Sequence, residues 1–595
     1  MSSAFSAAPT TTTRPLVTGT FGMAASTHWL ATAAAQAVLE RGGNAFDAVV
    51  AGGFVLQVVE PHLNGPGGDL VGLFHAAVDA EPRVLMGQGP APAAATIEHF
   101  REEGLELVPG AGALAAAVPG AVDAWLLLLR DHGTWELADV LAYAIGYARD
   151  GHPLLASAAA TIARVATLFT EAWPTSAALW LRDGRPPQAG ELHRNPALAD
   201  MYAGLVAAGD GAADRVARIE AARTEWSTGF VARAASAFVS IPHRHATGGD
   251  HAGVITAADF AAFSAGYEKP LMCRFRGRTI VKPGAWSQGP VLLQALGMLD
   301  AFPDEVLDPG TAEGAHLVLE TLKLALADRD AHFGDGVDTA DLLDAAYLAQ
   351  RRGLLAADAS AEWRPGAPGG REPHHPPLRT DAGPAAAGTG EPTVARSGQT
   401  RGDTCHIDVV DRWGNIVAIT PSGGWLQSSP AIPELGFALG TRLQMAWLDE
   451  DSPAALRPGA RPRTTLSPTL VMSGDRADMA LGTPGGDQQD QWQLPFLLRV
   501  LVGGWNPQAA IDAPTLHTTA MIDSFWPRTW TPAGAVLEDR IGDDVIAALS
   551  ARGHAITRAG DWALGRISAV GIDRERGTMW AAANPRGAQG YAAGR

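Results

Sequence analysis

The sequence predicts a fold of the α+β class. Three observations predict it: helix-like apolar spacing over residues 26–60, Ala-rich helical runs through the middle third, and a switch to period-two alternation after residue 403. Hydrophobic residues make up 47% of the 595 residues and charged residues 18%, a composition that forms a core. The length suits one large domain or two interwoven ones, and 68 glycines with 41 prolines make the chain rich in turns.

Residues 1–20 read as a disordered or loosely attached tail, with order beginning near Gly22-Met23. Ser26 or Thr27 is the expected cap of a helix through HWLATAAAQAVLE, which Gly42-Gly43 stops. Asn44 caps a second helix with Asp47 at the acid-favoured third position, and that helix ends at Glu60-Pro61. The glycine-rich turn Asn64 to Asp69 (NGPGGD) leads into an apolar strand, LVGLFHAAV. It lacks the Gly-Lys-Ser/Thr ending of a phosphate loop and reads as a structural turn lining a site.

Helices are expected at 111–130 and 136–149, strand alternation at 279–282, and an amphipathic helix from Gly310 to Phe333. Residues 356–402 carry WRPGAPGG, REPHHPP and GPAAAGTGEP and read as a flexible linker. His374-His375 lies in that stretch without partners at metal-ligand spacing. Directly after it, CHIDVVD alternates, Arg412 to Asn415 turns, and IVAIT returns as a hairpin.

The net charge of −18 disfavours nucleic acid as a partner. The longest apolar stretches, such as Ala48 to Leu56, are too short to span a bilayer. The first residues lack the apolar region of a secretory signal. Cys273 and Cys405 permit at most one disulfide. Together these predict a cytoplasmic protein.

A linker that ends abruptly at the Thr404 strand invites a chemical reading. A threonine hydroxyl is a poor nucleophile at neutral pH unless a base adjoins it. A threonine at a free N-terminus carries its own base, the α-amine, with an unperturbed pKa of about 7.7–8.0. Cleavage ahead of Thr404 would create that end group. Thr404 attacks the preceding carbonyl, an N-to-O acyl shift gives an ester, and water releases the linker.

The chain resembles the γ-glutamyltranspeptidase family of N-terminal nucleophile hydrolases over nearly its whole length, Gly22 to Tyr591. The resemblance runs through GMAASTHWLATAAAQAVLERGGNAFDAVVA and VVEPHLNGPGGD, then DFAAF at 259–263 and PGAWSQG at 283–289. It continues through Ala327-Asp328-Arg329 with Gly334-Asp335, Thr404-Cys405-His406 with VVDRWGN, and Ser467-Pro468-Thr469. Thr483 to Gly486 and Asn584-Pro585-Arg586 complete the family's order.

The resemblance implies a four-layer αββα sandwich. It implies self-cleavage into a large subunit of residues 21–403 (with its tail, 1–403) and a small one of 404–595. The two fragments remain a heterodimer, which in this family sometimes pairs again. Thr404 becomes the nucleophile and its α-amine the general base. Ser422 stands where the family has a second hydroxyl residue that hydrogen-bonds the nucleophile. Thr464 and Thr465 stand where paired serines contact the substrate carboxylate, although the two could instead simply end a strand. Gly485 and Gly486 match the glycine pair whose N–H groups stabilise the oxyanion, since side chains would keep the amides at a distance. No metal or organic cofactor is implied. Beside Thr404, Cys405 reads as a packed small hydrophobe and His406 as structural.

The departures bear on substrate. Where the family places an arginine for the glutamyl carboxylate, Ala94-Ala95-Thr96 is followed by Ile97. Where it places an acid for the glutamyl amine, Gln444-Met445 is followed by Ala446-Trp447-Leu448. An asparagine expected after the second hydroxyl is replaced by Gly423-Gly424-Trp425. Each charge-assisted contact is worth about 1.5–3 kcal/mol, so losing both anchors removes several kcal/mol of glutamyl binding. Arg442 is the candidate replacement cation, its alternative being a salt bridge. Trp425 either walls the pocket or packs.

The run TPSGGWLQSSP at 420–430, with LGTR at 439–442, resembles the amidohydrolase side of the family, which includes oxamate amidohydrolase and acylase-like members. The expectation is therefore a self-processing hydrolase of small carboxylate-bearing amides. Its alternatives are a true γ-glutamyltransferase and glutathione hydrolase, and a non-catalytic binding protein on the same fold.

Overall fold

The computed structural model describes residues 5–381 and 404–595. Its first two helices follow from local chemistry. The Asn44 side chain accepts the N–H groups of Phe46 and Asp47, while the Asp47 carboxylate accepts that of Asn44. This reciprocal cap opens the helix Ala45–Val59, every residue of which is buried. The preceding helix, Trp29–Glu40, is capped by His28 rather than by Ser26 or Thr27. Those two hydroxyls are spent elsewhere: Ser26 ends the strand Gly22–Ser26, and Thr27 donates to Glu60 at 2.6 Å.

The helices Leu137–Asp150 and Ala312–His332 form where the apolar spacing puts them. The run at 111–130 is helical only from Ala121 to His132. Ahead of it Pro119 removes a donor, Gly112 sits at φ 106°, and the chain turns instead through the 3₁₀ segment Ala113–Ala115.

Two seven-stranded sheets form the middle of the molecule. One runs in the order Val17–Gly19, Thr578–Ala583, Ser568–Asp573, Arg476–Gly482, Thr469–Ser473, Arg278–Lys282, Leu271–Phe275. The other runs Tyr591–Gly594, Gly22–Ser26, Ile407–Asp411, Ile416–Ser422, Asp69–His75, Arg83–Gly87, Gly266–Glu268. Their inner faces share one apolar layer that includes Met23, Val71, Val410, Ala418, Leu470, Ala480 and Val570. Separate helical layers cover the outer faces, one built on Ala45–Val59 and Ala121–His132, the other on Pro290–Leu299 and Ala312–His332. The architecture is the αββα sandwich. The strand Ile407–Asp411 lies between Gly22–Ser26 and Ile416–Ser422, so a cut ahead of residue 404 would leave both fragments woven into one sheet.

Two expectations need correction. Residues 5–20 are pinned rather than loose. Val17–Gly19 adds an edge strand, Ser6 donates to the Asp308 carboxylate, and Thr13 donates to that of Asp512. Phe5 packs edge-on against Trp505, Ala8 and Leu16 join the same core, and the hydroxyls of the segment donate to the Asp308 and Asp512 carboxylates. The first half of the expected linker, 356–381, is likewise packed. Gly366 N–H donates to Asp328, Arg351 to the Arg364 carbonyl, and His374 pairs with Asp449 at 2.9 Å. The stretch 382–402 lies outside the described residues.

Candidate active site

Thr404 lies just ahead of the strand Ile407–Asp411 and forms an antiparallel bridge with Ser422. Cross-strand partners project to the same face, and the two hydroxyl oxygens are 3.2 Å apart. The pairing continues through Cys405 N–H to the Pro421 carbonyl at 2.9 Å. Ser422 in turn is in register with Asp69 on its other side. The glycine-rich turn 64–68 packs against the chain just beyond Ser422. A Cβ on Gly68 would sit 2.1 Å from the Ser422 carbonyl, and one on Gly65 would sit 2.5 Å from that of Gly424. That turn is the structural lining expected of it.

The second sheet meets this row through His406. Its ring nitrogens hydrogen-bond Thr420 and Asp408, both at 2.8 Å, and the ring occupies the space a Cβ on Gly482 would need. Gly482 ends the strand Arg476–Gly482, and Gly485 and Gly486 follow three and four residues on. The strand that follows Thr404 thus packs, through one ring-on-glycine contact, against the strand that leads to the paired glycines. Gly485 and Gly486 have φ of 132° and 53°, and a Gly485 Cβ would strike the Trp492 ring. Consecutive positive-φ glycines make a concave backbone suited to an anion.

That backbone is braced from behind by Asp487. Its carboxylate accepts the Ser524 N–H at 2.8 Å and the Ser524 hydroxyl at 2.5 Å, and it pairs with Arg329. Burial alone would raise the Asp487 carboxyl, but Arg329 and Arg463 hold it below the usual range.

Thr464 and Thr465 are fully buried; Thr464 N–H donates to the Trp286 carbonyl, and the Thr465 hydroxyl has no partner among the described residues. Arg442 resolves to a salt bridge. Its Nε and Nη2 each donate at 2.7 Å to the Asp69 carboxylate, a buried bidentate pair 373 residues apart in sequence. A guanidinium so committed is a strut for the turn rather than a substrate anchor. Trp425 is buried, donates to the Leu63 carbonyl and packs near that guanidinium.

The segments that lack the two anchors serve the fold. Thr96 caps the helix Ile97–Glu102. Around Ala446 stands a cation: Arg528 donates to the Gln444 and Ala446 carbonyls and lies over the Trp447 ring at 3.9 Å. Burial lowers the Arg528 pKa to about 9. Arg463 is buried beside Thr464, donates to Ser524 at 2.6 Å and makes no ion pair among the described residues. Sequence reasoning found neither arginine, because nothing local distinguishes them from surface arginines.

Beside Thr404, the Cys405 thiol donates to Glu60 at 3.0 Å and accepts from Asn64, and burial raises its pKa well above the ordinary thiol value. His316, Glu320 and His554 could each offer a metal ligand atom within 4.8 Å of one another. Glu320 is already neutralised there by Lys323 and Arg364, which leaves little charge for a cation.

The model of gamma-glutamyltranspeptidase matches residues 31–594. The chain belongs to the gamma-glutamyltranspeptidase family. It is 30% identical to a glutathione hydrolase-like YwrD proenzyme of Bacillus subtilis, across 96% of this chain and 98% of that protein. It is 30% identical to an oxamate amidohydrolase proenzyme of Klebsiella pneumoniae, across 97% and 98%. Among solved structures, LmbA2991HD superposes with a TM-score of 0.93 at 51% identity, across 98% of this chain and 100% of that one. As a gamma-glutamyltranspeptidase family member, the protein is an N-terminal nucleophile amidohydrolase or acyltransferase.

Proposed function

We propose that the protein cleaves itself ahead of Thr404 and then hydrolyses small amides that carry a carboxylate. The observation that carries this reading is the 3.2 Å contact of Thr404 and Ser422, placed by His406 against the strand that delivers Gly485 and Gly486. In maturation the Thr404 hydroxyl attacks the carbonyl of residue 403, the resulting ester is hydrolysed, and a free α-amine remains. In turnover that amine takes the hydroxyl proton as Thr404 attacks the substrate carbonyl. The oxyanion is held by the Gly485 and Gly486 backbone, and Ser422 orients the nucleophile. The protonated amine of Thr404 then gives its proton to the leaving ammonia or amine. Water, deprotonated by the same group, releases the acyl chain.

The substrate class rests on the missing glutamyl anchors and on Arg528 standing where an ammonium-binding acid would be expected. A like charge there disfavours a donor with an α-amine. We also propose a cytoplasmic setting, consistent with two unpaired cysteines.

A denaturing gel tests maturation. The purified protein is expected to give fragments of about 42 and 20 kDa, in proportion to their lengths, and Thr404→Ala a single band. Ammonia release from oxamate faster than turnover of a γ-glutamyl anilide is the expected ranking. The reverse ranking would establish a γ-glutamyl transferase instead, and an uncut wild type would overturn the enzyme reading.

A further inference from the structure

Glu60 is a fully buried carboxylate one hydrogen bond away from the residue that follows the nucleophile. It sits at the end of the helix Ala45–Val59, just ahead of Pro61. Its two oxygens accept donors from three distant parts of the chain: the Thr27 hydroxyl at 2.6 Å, the Cys405 thiol at 3.0 Å and the Gln589 side-chain amide. Desolvating a carboxylate is costly, and a well-packed apolar side chain in its place would often serve stability as well. What Glu60 holds explains its presence better than stability does.

The held element is the start of the small fragment. The loop after Ala45–Val59 grips Cys405 from two sides. Glu60 accepts from the thiol, and the Asn64 side-chain amide donates to the sulfur at 3.0 Å. Thr27, fixed by its own bond to Glu60, takes the next residue, since its N–H donates to the His406 carbonyl at 3.0 Å. Gln589 ties the same cluster to the first helix, because its carbonyl accepts the Trp29 N–H at 3.1 Å.

The place of the cut gives this cluster its consequence. Thr27, Glu60 and Asn64 precede residue 404, whereas Cys405 and His406 follow it. Before the cut, peptide bonds hold Thr404 on both sides. Afterwards Thr404 is a chain end tied by one peptide bond to Cys405, and chain ends fray unless something holds them. The bridge to Ser422 and the Cys405 N–H bond to the Pro421 carbonyl act from within the small fragment. Glu60 and Asn64 supply a grip from the large one.

We propose that Glu60 is a positioning residue: through the Cys405 thiol, with Asn64 on the sulfur, it holds the new N-terminus so that the Thr404 hydroxyl stays against Ser422 once the chain is cut. Cys405 is then the link between the two fragments at the nucleophile. The inference rests on cleavage ahead of Thr404 and adds the residue that keeps the nucleophile in place afterwards. An asymmetry follows. Maturation, in which Thr404 is still tethered twice, depends little on Glu60, whereas turnover depends on it strongly.

The test compares full-length wild type, Cys405→Ala, Cys405→Ser and Glu60→Leu. Timed denaturing gels give the rate of fragment formation. Acetylation of Thr404 by p-nitrophenyl acetate, read as mass gain of the small fragment and release of p-nitrophenolate, gives the reactivity of each cut molecule. Per cut molecule, Cys405→Ala should be acetylated roughly 10-fold more slowly and Glu60→Leu up to roughly 100-fold, as befits loss of bonds to a charged acceptor. Fragment formation should slow much less. Cys405→Ser, which keeps a donor for Glu60, should retain most of the wild-type rate. Glu60→Leu combined with Cys405→Ala should be no slower than the slower single variant. A purely structural Glu60 would lower the yield of cut protein and its melting temperature without changing the rate per cut molecule. Acetylation at the wild-type rate in cut Cys405→Ala overturns the proposal, and so does a Cys405→Ser as slow as Cys405→Ala. If Glu60→Leu does not fold, the two cysteine variants decide alone. If cut wild type is not acetylated, hydrogen exchange decides. The amides of Cys405 and His406 should then exchange roughly tenfold faster in cut Cys405→Ala than in cut wild type, and equal exchange overturns the proposal. An uncut wild type overturns the self-cleavage reading, and this inference with it.

Discussion

The hydroxyls of Thr404 and Ser422 meet at 3.2 Å across an antiparallel bridge, 18 residues apart in sequence and buried in the uncut chain. The hairpin turn at 412–415 sets that register. A one-residue slip would turn one hydroxyl to the opposite face of the sheet.

Removing the Ser422 hydroxyl leaves Thr404 without this orienting partner. Ser422→Ala should slow both fragment formation and turnover by roughly 10- to 100-fold, the range of one buried hydrogen bond of about 1–3 kcal/mol. Ser422→Thr should restore most of the loss. Timed denaturing gels and an amide-turnover assay read the two effects, and an Ala variant that matures at the wild-type rate would refute the role.

Gly482 tests how the two sheets are brought together. A Cβ there would lie 2.3 Å from the His406 ring, which bonds to Thr420 and Asp408 prevent from moving aside. Gly482→Ala should cost about 1–3 kcal/mol by overpacking, measured by chemical denaturation, and should also retard maturation.

Arg442 and Asp69 should behave as a structural pair. Arg442→Met alone leaves a buried carboxylate, so about 3–5 kcal/mol of stability should be lost. Asp69→Leu combined with Arg442→Met should recover much of it, whereas a substrate anchor would show no such rescue. Melting temperatures of the single and double variants decide the matter.

Acid should destabilise the fold before carboxylates titrate. Burial pushes His28, His62, His193, His517 and His554 each down to about 3 from an ordinary value of 6.5. A group with a depressed folded pKa binds its proton more readily when unfolded. Its contribution is complete above pH 6.5 and shrinks as pH falls toward 3. Each such histidine should remove about 1 kcal/mol per pH unit in that window. A melting temperature that falls steadily from pH 7 to pH 5 is expected, and a flat profile would contradict these neutral histidines.

Much of the architecture was legible because its causes are local. The Asn44–Asp47 cap is written within four residues, and the helix Ala312–His332 in its own apolar spacing. The 404–422 hairpin needs only alternation and a turn. The resemblance points to Thr404, Ser422 and the glycine pair, and the fold brings the first two hydroxyls to 3.2 Å. The tail and the 356–381 segment were misread for a common reason. Their apolar residues, such as Phe5, Leu16 and Trp363, are too sparse to show a period, and what holds them is packing and hydrogen bonding to partners far away in sequence, which composition does not reveal.

The expected cation for a substrate carboxylate shows the same boundary most sharply. From the chain alone, Arg442 stood out, because it follows a family-like segment. Tertiary structure gave it Asp69, and left Arg463 buried with a spare donor. An arginine's own residue type sets its charge and its donors. Whether they are already satisfied depends on partners hundreds of residues away, which meet it only when the sheets and helices close over one another.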